Sequence, residues 1–158
     1  MNSRNSRLVA SRLPEDLPIV VSRPAAEAME AACGQALPLE ASGFLLGVRR
    51  GCERHATDII LAQGGAATPG GFEIADHELR RLKAWAEDRG LDILALFHSH
   101  PSGSLSLSAA DRAALRYSEW PWLVVAHRPG RALALALYGQ GSAHRMPPGF
   151  VRLGQLSL

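Results

Sequence analysis

Short apolar runs alternate with amphipathic stretches along the chain, and glycine, proline or polar turns punctuate them. Residues 19–21 (IVV) read as a short strand. Residues 24–32 read as a helix, with Pro24 near its first turn and Gly34 just beyond its end. Residues 44–49 and 58–62 predict two strands around the turn-forming Gly51, and 63–71 (QGGAATPGG) is a loop by composition. From Asp76, read as an N-cap, Leu79, Leu82, Trp85 and Ala86 recur at helical spacing until Gly90, and Leu79 and Trp85 are assigned to the core. The run 91–97 (LDILALF) suits a buried strand that Pro101 stops, and a helix follows Ser108. Strands at 122–126 and 132–138 flank a turn at Pro129-Gly130, with a last strand at 150–153. Strands and helices in alternation predict an α/β (α+β) chain.

Size and charge narrow the picture. A chain of 158 residues with 47% hydrophobic content buries one core rather than two. Residues 1–17 are expected to be a loose tail and 18–158 a single domain. The net charge is +2 and the arginines are scattered, so no basic stripe with interleaved aromatics predicts a nucleic-acid groove. The N-terminal stretch MNSRNSRLVASR is basic, yet no apolar region of signal-peptide length follows it. No segment has the roughly 18 apolar residues of a membrane span, so no membrane partner is expected and the compartment is read as cytoplasmic. Two distant cysteines, Cys33 and Cys52, fit a reducing compartment and are read as ordinary packed or partly buried residues.

The chemistry concentrates at His98-Ser99-His100-Pro101, Ser108 and Asp111. Side chains two apart on a strand project to the same side, about 6.6 Å apart along the backbone, so His98 and His100 can converge on one ion. Asp111 returns on the following helix. Two neutral imidazoles and one carboxylate give a zinc ion three protein ligands and leave its fourth position open to water, whose pKa then falls to about 7. The nearest upstream candidate for a general base is Glu40 in EASGFLLG, at the mouth of an apolar strand. By itself, S-x-x-D before an apolar helix also reads as a capping box. The chain has no H-E-x-x-H, G-x-S-x-G or Walker-type G-x-x-x-x-G-K, and no cysteine follows the histidines as a zinc deaminase requires. His55, His77, His127 and His144 lack ligand-like spacing and are read as surface or core residues.

Glu40, then H-S-H-P, six residues (SGSLSL), Ser108, two residues (AA) and Asp111 resemble, position by position, the JAMM or MPN-plus (Mov34/PAD-1-like, JAB) metalloproteases of compact bacterial type. EASGFLLG resembles the segment around that family's glutamate, and GFEIADHEL the stretch before its central helix. The likeness runs over roughly residues 18–138. It implies the MPN/JAMM fold, a mostly antiparallel mixed sheet flanked by helices in a cytidine-deaminase-like layout. It further implies that His98, His100 and Asp111 bind one zinc ion, that Glu40 activates the bound water and that Ser108 stabilises the tetrahedral intermediate. The implied activity is metallopeptidase or isopeptidase cleavage after the C-terminal glycine of a ubiquitin-like protein, in conjugation or antiviral systems. A narrow cleft admits such a tail as an extended backbone held by edge-strand pairing, with the loop 63–71 as a candidate wall. The alternatives are processing of a sulfur-carrier protein and a non-catalytic scaffold of the same fold. A DNA-repair-related branch shares the ligands but is disfavoured by the weak charge.

Overall fold

The computed structural model describes residues 17–62, 74–139, 144–147 and 149–154. Its elements run β1 (Ile19–Val21), α1 (Arg23–Ala36), β2 (Ser42–Arg50), β3 (Glu53–Leu61), α2 (Asp76–Glu87), β4 (Asp92–His100), α3 (Ala109–Leu115), β5 (Trp122–Ala126), β6 (Ala134–Tyr138) and β7 (Val151–Leu153). The expected tail, apart from Leu17, and the loop 63–71 lie outside the described residues.

One seven-stranded mixed sheet has the order β6-β5-β4-β2-β3-β1-β7. The long ladders that join β2 to β3 and β2 to β4 are antiparallel, whereas β4–β5, β1–β3 and β1–β7 are parallel. Parallel pairing of β4 and β5 requires a crossover, and the segment carrying α3 supplies it. That crossover is what returns Asp111 to the end of β4.

Alternating side chains give the sheet two apolar faces. Leu45, Phe97, Leu123 and Val125 pack with Met29 and Cys33 of α1. Phe44, Leu46, Leu96, Trp122 and Val124 pack on the other side with Leu82 of α2 and Leu115 of α3. Central strands buried on both faces read as continuous apolar runs, which is why 91–97 is so uniform. A register shift at Leu46/Gly47 bends β2 against β3, and a Cβ at Gly47 would run into the His55 carbonyl. Arg54, buried beneath β1, donates through Nε and Nη2 to the Leu17 carbonyl at 3.0 and 2.6 Å.

Several boundaries differ from the sequence pattern for identifiable reasons. Helix α1 continues through Gly34 to Ala36, because Met29, Ala32 and Cys33 anchor its buried side to the sheet. Strand β3 begins at Glu53 rather than 58: apart from the buried Ala56 its first residues are polar, yet their main chain pairs with β2 on one side and β1 on the other. Ala75, not Asp76, is the N-cap of α2, and Asp76 instead places its carboxylate in the first turn, where the helix dipole favours negative charge. Leu79 and Trp85 pack at the edge of the second cluster, partly buried, with the Arg89 guanidinium 3.8 Å from the Trp85 ring centroid. Cys33 is buried as expected, but Cys52 is exposed in the turn after β2. No described helix is long and apolar enough to cross a membrane.

Candidate metal centre

The C-terminal end of β4 carries His98 and His100 into the face shared with α3, beside Trp122, whose ring meets that of His98 edge-on at 5.4 Å. Both histidines and Asp111 are buried. His98 Nε2 lies 3.0 Å from His100 Nε2, and each lies 3.6 Å from the same Asp111 oxygen, Oδ2. A tetrahedral ion with bonds of about 2.0–2.2 Å separates its ligand atoms by about 3.3–3.6 Å, so these three edges bracket the fit. Among the described residues no other group of three or more histidine, cysteine or acidic side chains converges in this way.

Two of the three ligands, His100 and Asp111, are held from behind. His100 Nδ1 sits 2.9 Å from the Ser104 carbonyl oxygen, which can only accept, so Nδ1 carries the proton and Nε2 keeps a lone pair for a metal. The loop that offers this carbonyl turns at Gly103, with φ +80°, and the Arg128 guanidinium packs where a Cβ would stand while donating to the Ser102 carbonyl at 2.8 Å. Asp111 belongs to a capping box: Ser108 N–H donates to Asp111 Oδ2 at 2.8 Å, and Asp111 N–H donates to Ser108 Oγ at 3.0 Å. The capping and ligand readings of S-x-x-D are therefore one arrangement.

Electrostatics favour a cation here. Burial raises the Asp111 pKa, but the two imidazoles beside it and the hydrogen bond from the Ser108 amide outweigh it and hold the carboxyl well below its usual range. Desolvation lowers the pKa of His98, which keeps it neutral at pH 7, whereas the Asp111 carboxylate beside it raises that of His100. A dication would take the place of the proton these groups contest.

Glu40, just before β2, faces the same cleft of about 370 Å³ as His100, Ser104, Ser106 and Ser108. It is 8% exposed and its Oε2 has no hydrogen-bond partner among the described residues. Burial, first, and the nearby Asp111 charge push its pKa up to about 7 against the pull of His100. The structure thus brings all five residues singled out in the sequence to one end of the sheet. Sequence patterns did not reveal the Ser104 carbonyl or Arg128; the one signal that could have pointed to a backbone device there is Gly103, inside the loop after Pro101.

Residues 22–137 match the family model described as prokaryotic homologs of the JAB domain. A protein of known solution structure from Desulfitobacterium hafniense has a similar fold, with a TM-score of 0.72 and 24% identity over 87% of this chain and 94% of that one. A crystal structure of a JAB1/MPN domain protein from Archaeoglobus fulgidus superposes with a TM-score of 0.57 at 15% identity, over 87% and 98% of the two chains. A solution structure of a Salinibacter ruber protein gives 0.54 at 23% identity, over 76% and 80%. No curated protein sequence matches. Because the matched span runs from the N-cap of α1 into β6 and contains the whole histidine–aspartate cluster, the chain belongs to the family of prokaryotic homologs of the JAB domain.

Proposed function

We propose that this chain is a zinc-dependent peptidase or isopeptidase that cleaves after the C-terminal glycine of a ubiquitin-like protein. The JAB domain family includes metallopeptidases. The observation that carries the proposal is the buried His98, His100 and Asp111 cluster, with the buried Glu40 carboxylate in the cleft beside it.

When bound by these three residues, a zinc ion supplies Lewis-acid polarisation of a carbonyl and makes water a better nucleophile near neutral pH. Glu40, whose pKa sits near 7, accepts the proton of the attacking water and returns it to the leaving amine as the C–N bond breaks. Ser108 Oγ already accepts from Asp111 N–H, so its hydroxyl proton is the part left to donate to the developing oxyanion. Losing one donor of that kind typically costs about 3 kcal/mol of barrier.

Substrate shape follows from the cleft. Glu40 and His100 line the cleft but are buried, so an extended tail reaches them more readily than a folded surface does. Strands β2, β4 and β5 are each paired on both sides, so main-chain bonds to such a tail fall to loops at the rim. All five motif positions are filled by competent residues, which favours an enzyme over a scaffold. The test is hydrolysis of ubiquitin and sulfur-carrier proteins bearing a C-terminal aminocoumarin amide by the zinc-loaded chain. Release that stops with a chelator and drops about 1,000-fold in Glu40→Gln supports the proposal. Turnover indifferent to both treatments contradicts it.

A further inference from the structure

We propose that Ser99, the residue between the two histidines, is a positioning residue that sets the place of Glu40. Its catalytic consequence rests on the reading of Glu40 as the base; its structural basis does not. Alternation along β4 turns Ser99 away from His98 and His100, toward the face covered by α1. There it is buried, 2% exposed.

The ladder between β2 and β4 ends at Ser42 opposite His98. One more step of the same antiparallel register would set Ala41 opposite Ser99 and Glu40 opposite His100. In a regular hydrogen-bonded pair the two residues exchange both main-chain bonds. Here Ser99 N–H donates to the Ala41 carbonyl at 2.8 Å, but Ala41 N–H returns its bond to Ser99 Oγ, also at 2.8 Å. The hydroxyl stands in for the carbonyl of its own residue. The chain before Ser42 therefore leaves the strand ladder while staying clasped by two bonds, and the next residue back is Glu40. A buried carboxylate whose Oε2 has no hydrogen-bond partner among the described residues is driven toward water, and the clasp fixes its Cα over the cleft against that drive. Threonine keeps the hydroxyl. Alanine removes the acceptor and leaves the Ala41 amide buried without it.

The experiment uses the full chain with Ser99→Ala and Ser99→Thr. In the metal-free protein, Ser99→Ala is expected to speed amide exchange at Ala41 on the order of tenfold, while Val124 in β5 is unchanged. The Glu40 carboxyl carbon resonance is expected to move in Ser99→Ala and to return in Ser99→Thr. Zinc stoichiometry stays the same in both variants, since the ligands lie on the opposite side of β4. On a ubiquitin aminocoumarin conjugate, kcat falls about 10- to 100-fold in Ser99→Ala with little change in KM, and Ser99→Thr recovers it. The double variant Ser99→Ala/Glu40→Gln is no slower than Glu40→Gln. Unchanged Ala41 exchange in Ser99→Ala, or a double variant slowed by the full factor of both changes, overturns the proposal. Full turnover in Glu40→Gln sinks the base assignment instead, and the exchange data still decide the clasp.

Discussion

His100 and Ser104 are joined by a bond from the ring Nδ1 to the main-chain carbonyl at 2.9 Å, and this contact decides which nitrogen of His100 faces Asp111. The carbonyl stands where it does because Gly103 turns the loop with a positive φ and Arg128 fills the space beside it. Gly103→Ala strains that turn and displaces the guanidinium. The expected result is zinc affinity about 10-fold weaker, the lower end of what loss of an outer-shell partner costs, with the fold retained. Competition against a chromophoric chelator measures it, and unchanged affinity would show that the loop does not orient His100.

Ser108 has two separable duties. As the N-cap of α3 it accepts from Asp111 N–H, and removing such a cap costs about 1 kcal/mol. As an oxyanion donor it is expected to contribute a further 100- to 1,000-fold in kcal-scaled barrier terms, about 3–4 kcal/mol in turnover alone. Ser108→Ala is therefore expected to lower stability modestly and turnover severely, with chemical denaturation and steady-state kinetics read on the same preparation. A turnover loss no greater than the stability loss leaves Ser108 as a cap and nothing more.

The pH dependence of stability follows from Glu40. Its pKa in the folded chain is about 7, above the ordinary 4.5, because burial disfavours the charged form. A raised folded pKa means the native state binds the proton more tightly, so this stabilisation is fully present below about pH 4.5 and is lost as pH rises through 7. Glu40→Gln has no charge to bury. Metal-free Glu40→Gln is expected to melt about 2–4 °C above the parent at pH 8, the effect of roughly 1 kcal/mol once screening by the open cleft is allowed for, and level with it at pH 4. Equal melting temperatures at both pH values would mean the carboxylate is well solvated.

Leu115 links the helix that carries Asp111 to the core. It is fully buried on α3, four residues after the aspartate and on the same helix face. Leu115→Ala is expected to cost about 2–5 kcal/mol of unfolding free energy, as for other buried leucines. Urea titration of the zinc-free chain checks this, and a cost under 1 kcal/mol would show that α3 is held mainly from elsewhere.

The site was largely legible because its chemistry is carried by side chains at short, fixed separations. Two histidines on alternate strand positions and a serine–aspartate pair at the start of a helix each fix their own local geometry. Glu40 lies far upstream, and only the pairing of Ser42 with His98 brings it near. The Ser104 carbonyl and the Ala41 amide are main-chain groups, which no residue type advertises. Of the fold, the buried strands β4 and β5 were clear from their apolar runs. The start of β3 was not, since Glu53 to Thr57 alternate weakly and owe their strand form to neighbours distant in sequence. Gly34 misled for a similar reason: tertiary packing of Met29 and Cys33 outweighs the propensity of one glycine to end a helix.

The most direct test is metal content. The purified chain and Asp111→Ala are each stripped, dialysed against zinc and analysed by mass spectrometry. One zinc per parent chain, and less than about a tenth of that in Asp111→Ala, is the expected result for a ligand whose loss leaves only two imidazoles. Equal zinc in the two proteins, or none in the parent, would contradict a metal centre built from His98, His100 and Asp111.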